Sequence, residues 1–496
     1  MSRAFCFLNS SKVGRLVWSE SSLAGLYIQV RCYTEVSGLM KSSFAAGLVA
    51  ASASITQRTG FRMLPGWRRA LTTVSMLGIA TFLGAGMVFA TQTLLARELG
   101  PSSYGLFASS LATVTMIAPL AGFGLGQFRL KVYGVEGWGA NRWLLPSIRF
   151  TFATTLAAFA ILIGWALIAA PPNGTRFALI VLSPVILSIL TIELMGNKLR
   201  LEERLAQMAL WQMAIPASRL LVAIALLLVP QLTGRFVAVS YSLISLFVFL
   251  AAFPQIRRMM QGHIDLHGHD QRREAVITTT PDTMELWSQA WAYGVWAILY
   301  PVFFQISTIL LKYLHSDAQA GVYSIALAIM TAIYLIPATI YQKYLLSKLH
   351  RWAAHDVPKF WAVYQQGNVA MFVLGVLVSI SLVVVSPWVV PIVFGHRYLG
   401  VVDILMVLSL CPPIRFLSTA MGAALLTEDH MRYRVYAMAV ATVVAIVLNA
   451  MLIPRFGGQG AAWATVVGET VLLIGTSLGV RRFHQRRGIS RPGDVS

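Results

Sequence analysis

The sequence is poor in cysteine and in charged side chains, and each shortage excludes a class of protein. The three cysteines, Cys6, Cys32 and Cys411, are scattered, so their positions match neither a disulfide framework nor the ligand spacing of a metal site. Only 12% of the 496 residues are charged, whereas 57% are hydrophobic, and the mean hydropathy is +0.69. Soluble domains have about 25% charged residues. The composition therefore indicates a polytopic membrane protein.

The apolar segments have the length of membrane-spanning helices, which need about 20 residues each to cross the hydrocarbon. Twelve such segments are predicted: 71–95, 104–128, 146–170, 176–195, 209–230, 234–253, 286–311, 320–342, 363–386, 399–426, 433–453 and 459–480. Six is an even number, so two consecutive six-helix halves enter the membrane in the same orientation. The fold class predicted is thus all-α integral membrane, with two six-helix bundles related as a parallel repeat.

Acidic residues are also scarce, with 19 Asp and Glu against 39 Lys and Arg, and the excess of positive charge is unevenly placed. The connections after even-numbered segments are rich in basic residues, for example Lys131 with Arg142 and Arg432 with Arg434. The connections after odd-numbered segments hold one each: Arg97, Arg176, Arg235, Lys312, Arg397 and Arg455. We call the first side the basic face and the other the opposite face. The positive-inside rule predicts a multi-pass protein of the cytoplasmic membrane with a cytoplasmic basic face and both termini on that side.

These segments also predict the domain organisation. Residues 1–70 are expected to be a disordered or mis-started extension, followed by a bundle at 71–253, a cytoplasmic linker at 254–285, a second bundle at 286–480 and a basic cytoplasmic tail at 481–496. The linker contains the run HIDLHGHD at 263–270, whose alternating His and Asp suggest metal ligands. A solvated loop is the preferred interpretation, and we expect no metal site and no cofactor.

Three stretches of the sequence resemble one family of transporters. Residues 95–107 (LARELGPSSYGLF), 391–398 (PIVFGHRY) and 448–465 (LNAMLIPRFGGQGAAWAT) are similar to the signatures of polysaccharide and oligosaccharide-lipid flippases, a branch of the MATE-like superfamily. The resemblance covers about residues 71–480 and implies a MATE-like fold. Many members carry an acid in the seventh span, whereas this chain reads QIST at 305–308, which weakens the case for a cation site there. The last stretch also makes sense structurally, because it predicts a tight turn at Gly457 and a face of small residues after it.

Charged residues at membrane depth are the candidate functional residues, because each costs about 2.5–3.5 kcal/mol to insert. Arg219, Arg415 and Arg129 are the candidate headgroup-binding residues, since a guanidinium donates hydrogen bonds to phosphate oxygens in pairs. Glu469 and Asp403 are the candidates for coupling to H⁺ or Na⁺. Two structural interpretations stay open: an ion pair of Arg415 with Glu469, and a topology charge at Arg129.

The resemblance and the arginines together favour a flippase that moves a polyprenyl-diphosphate-linked glycan by alternating access, with membrane lipid, glycosyltransferases and a polymerase as partners. A cation-coupled multidrug antiporter of the same superfamily is the first alternative, although it would favour acidic residues. A membrane glycosyltransferase or polymer ligase is the second, but the connections of the opposite face are too short for a catalytic domain. We therefore expect a transporter, not an enzyme, and no nucleic-acid partner.

The extension is open to a direct test. If residues 1–70 are a mis-started segment, N-terminal sequencing of the purified protein gives a chain that begins at Met63 or Met76. A chain that begins at Met1 contradicts that interpretation.

Overall fold

A computed structural model describes residues 65–172, 174–229, 231–266, 280–341, 357–424 and 431–489. The chain divides into two units, Met1–Thr72 and Thr73–Ser496, and the packing described below belongs to the second. Outside the described residues lie 1–64 of the predicted extension, 267–279 of the linker, 490–496 of the tail, and the end residues 230, 342 and 425–426 of three predicted apolar segments.

The described backbone is almost entirely helical, because hydrocarbon offers no water to the backbone polar groups and a helix satisfies them internally. The helices are α1 Pro65–Ile117, α2 Leu125–Glu136, α3 Leu144–Ile168, α4 Thr175–Leu182, α5 Val185–Leu201, α6 Leu205–Leu228, α7 Gly234–Met260, α8 Thr283–Leu314, α9 Asp317–Ala338, α10 Val357–Phe394, α11 Gly400–Leu408, α12 Cys411–Ala424 and α13 Met431–Ile489. Each predicted segment lies on one or two of them. The predicted all-α membrane fold is therefore confirmed.

The number of membrane crossings follows less directly from the structure than the fold class does. Within the described residues, eight helical stretches are long and apolar enough to cross a membrane, or nine if the bent pair α11 and α12 is one span. Two of those stretches, Gly78–Ile168 and Arg432–Arg482, each contain more than one predicted segment. Twelve crossings stay a prediction.

The outer surface of the helices is apolar. Large hydrophobic side chains point away from the protein, including Ile168 at 88% exposure and Trp388 at 75%. Burying such a side chain is worth about 1.5–3 kcal/mol, so in water this exposure would be costly. The surface is suited to contact with lipid tails.

Glycines form the turns inside the two longest helices. Gly100 interrupts α1 with φ 71°, and Gly457 interrupts α13 with φ 54°, a conformation that glycine adopts without steric cost. The turn predicted at Gly457 is confirmed. Ala461, Ala462 and Ala464, which follow it, are fully buried, so the predicted small-residue face packs inside the protein.

The predicted segment 104–128 is not one continuous helix. A 3₁₀ turn at Ala118–Leu120 ends the second limb of α1, and a loop then leads to α2. Gly122, Phe123 and Gly124 in this loop all have positive φ, of 86°, 43° and 65°. Pro119 cannot donate a backbone hydrogen bond, which helps to end the helix here.

Two further segments are broken, and the breaks fall at corresponding places in the predicted repeat. Segment 176–195 divides into α4, of 8 residues, and α5 beyond Pro184. Segment 399–426 divides into α11, of 9 residues, and α12, which bends by 44° from it just before Pro412 and Pro413. At the second break the Ser379 hydroxyl of α10 donates to the freed carbonyl of Ser409. Continuous apolar composition had concealed both interruptions.

The two halves approach most closely where they have glycine. A Cβ on Gly105 of α1 would overlap the Asp317 carbonyl of α9, and a Cβ on Gly321 of α9 would overlap the Pro101 carbonyl of α1. We call this contact the α1–α9 crossing. Both glycines lie near the opposite face, one on each side of the crossing.

A second crossing lies at the other end of the same limb. A Cβ on Gly124 would overlap the backbone of Tyr293 and Gly294 in α8, and a Cβ on Gly294 would overlap the ring of Phe123. The Phe123 ring also stacks on Trp287 of α8 with centroids 5.0 Å apart. The halves therefore touch near both faces, each time at a glycine whose missing side chain leaves room for the other half.

The α1–α9 crossing predicts a specific sensitivity to one methyl group. Gly105→Ala is expected to lower the free energy of unfolding by about 1–3 kcal/mol, the usual cost of overpacking, measured by denaturant unfolding in detergent. Gly164→Ala in α3 is the matched control, because no atom lies within 4 Å of the added Cβ. Equal stability of the two variants would show that the crossing is not close-packed.

Candidate functional site

Arg415 and Glu469 form an ion pair inside the second half. Arg415 lies in the first turns of α12, and its Nη1 is 3.3 Å from both carboxylate oxygens of Glu469 on α13. Glu469 is completely buried, and the side chain of Arg415 is 12% exposed. The break before α12 sets the direction of its first turns and so brings Arg415 to α13. The ion pair that the sequence left open as the structural interpretation is present.

Aromatic rings surround the guanidinium of Arg415. Its Cζ lies 4.8 Å from the ring centroid of Phe304, 5.5 Å from Tyr334 and 5.8 Å from Tyr300. Its Nη2 also donates to the Tyr300 hydroxyl at 3.3 Å. Ring faces attract cations, so these contacts stabilise the positive charge without neutralising it.

Two more arginines lie over rings of the same helix, α8. The Cζ of Arg434 is 4.4 Å from the ring centroid of Trp296, and that of Arg432 is 5.8 Å from Trp291. Arg432 is exposed and Arg434 is half-buried. We call Arg432, Arg434 and Arg415, with the rings of α8 beneath them, the arginine ladder. From Trp291 to Phe304 it extends roughly 20 Å along the helix, at about 1.5 Å per residue.

The arginine ladder begins at a cavity of about 520 Å³ on the basic face. Its walls come from α2, α8 and α13 and include Phe128, Lys131, Ser288, Trp291 and Arg432. Trp291 and Arg432 therefore belong both to the cavity wall and to the first step of the ladder. The cavity lining carries the charges of Lys131, Arg432 and Glu136, the last of which pairs with Arg142 at 2.9 Å. From Arg432 a series of guanidinium groups leads into the second half.

Arg219, the second predicted site residue, lies in the first half and outside the ladder. It is half-buried on α6, with its Cζ 4.5 Å from the ring centroid of Tyr241 on α7. Its buried Nε has no hydrogen-bond partner among the residues that the structure describes. The Tyr241 ring in turn contacts Phe107 of α1 edge-on, with centroids 5.2 Å apart. Arg219 is thus a half-buried cation whose Nε is an unused donor.

The structure places the remaining candidates separately. Arg129 is half-buried on α2 and borders a closed space of about 10 Å³ beside Asn197 and Lys198, not the cavity at the ladder. Asp403 is exposed in the first turn of α11, where a carboxylate stabilises the amino end of a helix. Of the five predicted site residues, only Arg415 and Glu469 are therefore brought together.

Sequence reasoning missed Arg432 and Arg434, which it assigned to the topology charges of the basic face. One signal was available. Trp296, Tyr300 and Phe304 are spaced four residues apart, so on a helix they share one face. A stripe of rings in a chain rich in arginine indicates places where guanidinium groups are stabilised in the membrane. Which arginines reach it depends on the packing of α13 against α8.

The described part of the HIDLHGHD run takes part in a charge cluster. Asp265 accepts from Arg204 at 2.8 Å, and Glu202 accepts from the buried Lys198 at 2.7 Å. No group of three or more His, Cys, Asp or Glu side chains suited to a metal occurs in the described ranges. Residues 267–270 of the run lie outside them.

Comparison with known proteins agrees with this architecture. The profile of the family described as polysaccharide biosynthesis protein matches residues 70–345, more than half of the chain. The comparison with curated protein sequences found no match.

Solved structures share the fold at low sequence identity. An inward-facing multidrug resistance MATE family transporter of the MOP superfamily superposes with a TM-score of 0.65 at 13% identity, covering 84% of this chain and 100% of that one. The lipid II flippase MurJ, in an inward closed conformation, gives a TM-score of 0.60 at 14% identity, covering 82% and 87%. A MOP superfamily transporter from Pyrococcus furiosus gives 0.55 at 12% identity, covering 83% and 95%. At these identities the likeness is one of fold.

The ion pair of Arg415 with Glu469 leads to a prediction about stability that does not depend on transport. Arg415→Gln leaves Glu469 buried and unpaired, so it should lower the free energy of unfolding by about 3–5 kcal/mol. The double variant Arg415→Gln/Glu469→Gln should lose less, because neither charge is then left alone. Denaturant unfolding of the single variants and the double variant measures the coupling energy. Strictly additive losses would argue that the two side chains do not interact.

Proposed function

The chain belongs to the polysaccharide biosynthesis protein family, and on that premise we propose that it moves a lipid-linked glycan across the cytoplasmic membrane by alternating access. The observation that carries the proposal is the arginine ladder, which extends from the cavity of the basic face to Arg415 inside the second half. The proposed cargo is a polyprenyl-diphosphate-linked oligosaccharide or polysaccharide precursor.

The electrostatics of the ladder favour an anionic cargo. Arginine keeps its charge when desolvated, and its planar group donates to phosphate oxygens in pairs. Within the ladder the acid that touches an arginine is Glu469, which Arg415 already neutralises. Arg219, in the first half, is the proposed second contact for the diphosphate. Arg129 stays a weaker candidate, because it borders a closed space away from the cavity.

The alternative functions fit less well. A cation-coupled multidrug antiporter shares the fold, but a cationic drug needs an unpaired carboxylate, and the arginine ladder would repel it. A glycosyltransferase or polymer ligase needs room for catalytic side chains. The described connections of the opposite face, such as the turn between α8 and α9 and the one between α10 and α11, are only a few residues long.

The charge asymmetry gives the proposal a direction. With the basic face in the cytoplasm, the cavity opens where glycosyltransferases assemble lipid-linked glycans, and a polymerase would receive the cargo on the other side. A membrane potential positive outside favours outward movement of an anion by about 2.3 kcal/mol per charge per 100 mV. The lipid tail would stay in the bilayer, against the apolar surface of the helices, while the head crosses.

The two glycine crossings are the proposed gates. The crossing of Gly124 with Gly294 lies on the side of the cavity, and the α1–α9 crossing lies near the opposite face. Rocking of the halves that opens one while the other stays closed would expose the arginine ladder to each side in turn.

Substitution of the proposed cationic contacts tests the function. In vesicles that contain the purified protein and a fluorescent polyprenyl-diphosphate oligosaccharide, Arg434→Gln and Arg219→Gln should each slow flipping about tenfold or more, since a hydrogen bond to a charged group contributes about 1.5–3 kcal/mol. The rate is followed by access of an impermeant quencher.

Arg455→Gln is the matched control, because Arg455 is exposed near the opposite face, and it should flip at the wild-type rate. If Arg434→Gln and Arg219→Gln both flip at the wild-type rate at equal protein content, the cationic path is not used. Transport of a lipophilic cation by the wild type, without glycan flipping, would instead support the drug antiporter.

A further inference from the structure

We propose that the ion pair of Arg415 with Glu469 is exchangeable. A diphosphate group replaces Glu469 as the hydrogen-bond acceptor of the Arg415 guanidinium, and Glu469, left without its partner, binds one proton. The inference rests on the proposed function, because it assumes that an anionic headgroup reaches the end of the arginine ladder. It adds a link between headgroup binding and proton uptake at a named residue.

The geometry of the pair leaves Arg415 open to exchange. One nitrogen, Nη1, is shared between both carboxylate oxygens at 3.3 Å, whereas a strong guanidinium–carboxylate contact has two parallel bonds of about 2.7–2.9 Å. Nη2 is directed to the Tyr300 hydroxyl instead. A diphosphate can offer two oxygens to the same edge of the guanidinium, which is the better hydrogen-bond arrangement.

Arg415 can also be reached. Its side chain is 12% exposed, and Tyr300, which contacts it, is 43% exposed. The Cζ of Arg415 lies over the rings of Phe304 and Tyr334, and ring contacts of this kind accept no conventional N–H hydrogen bond from the guanidinium. The neighbouring Arg434 extends the positive potential toward the cavity of the basic face.

Among the residues that the structure describes, the cation bonded to Glu469 is Arg415 alone. The groups that face the pair from the helices packed around it are Arg415 and Cys411 of α12, Tyr300 of α8, Tyr323 and Tyr334 of α9, and Arg434 of α13. The tyrosines and the cysteine are neutral groups, and Arg434 lies against Trp296. A fully buried, unpaired carboxylate costs several kcal/mol, and such a group neutralises by binding a proton.

The exchange balances in atoms and charge. The diphosphate oxygens accept the Arg415 hydrogen bonds that Glu469 gives up, and one proton from solution converts the Glu469 carboxylate to the acid. No covalent bond other than this O–H forms or breaks. The occupied site therefore carries one negative charge fewer than the headgroup alone would bring.

Calorimetry on the full chain in lipid nanodiscs measures the proton directly. Farnesyl diphosphate is titrated in two buffers with different heats of ionisation at one pH, which yields the protons taken up per probe bound. Glu469→Gln should take up one proton fewer than the wild type, while binding the probe at least as tightly. Glu98→Gln, at an exposed acid of α1, should match the wild type.

A second measurement needs no variant. Farnesyl sulfate does not titrate near neutral pH, so its affinity for the wild type should fall about tenfold for each unit of pH rise if one proton binds with it. An affinity that is flat with pH would overturn the exchange, as would equal proton uptake by wild type and Glu469→Gln. Failure of the wild type to bind either probe would instead count against the diphosphate headgroup and thus the proposed function.

Discussion

Hydrocarbon supplies neither water nor counter-ions, so each charge that this chain carries into the bilayer needs a partner within the protein. The protein partners such charges in three ways. Lys312 and Asp317 pair at 3.0 Å at the turn between α8 and α9, Arg415 pairs with the fully buried Glu469, and Arg219 lies against the ring of Tyr241. Of these, ring stacking leaves the guanidinium positive and its edge available. A series of such arginines is therefore stable in the membrane and still able to attract an anion.

The same constraint acts on the backbone. Helices can be interrupted at membrane depth only where the freed backbone groups are covered by protein or find a new partner. The break before α12 meets that condition, because Ser379 of α10 donates to the carbonyl of Ser409. The equivalent break before α5 is also buried, with Val185 and Ile186 fully enclosed. Each break comes after a first helix of 8 or 9 residues. The fourth predicted segment of each half is therefore interrupted at the same place.

Much of the fold could be predicted from sequence, because hydropathy and charge asymmetry are signals that bilayer physics imposes directly. The turn at Gly457 was predictable for a local reason, the conformational freedom of glycine. The interruptions of segments 104–128, 176–195 and 399–426 were not, because a proline in an apolar run is compatible with a kinked helix and with two helices.

The candidate site was predictable only in part. Arg415 and Glu469 were identifiable as charges at membrane depth, and they do lie together. Arg434 could not be identified as a site residue, because it lies near the end of a predicted span, as topology charges do. Only the packing of α13 on α8 places its guanidinium over Trp296. A long side chain can start near one face of the membrane and place its charged group deeper inside. The position of the residue in the sequence does not give the depth of that group.

The α1–α9 crossing has a consequence for kinetics. Side chains that interlock must lose rotamer freedom each time a contact forms, at up to about 2 kcal/mol for a long one, whereas glycine has none to lose. Gly105 and Gly321 meet as bare backbone, so these two residues add no side-chain ordering cost to the seam between the halves when it parts and re-forms. Such a seam favours repeated cycling over permanent closure.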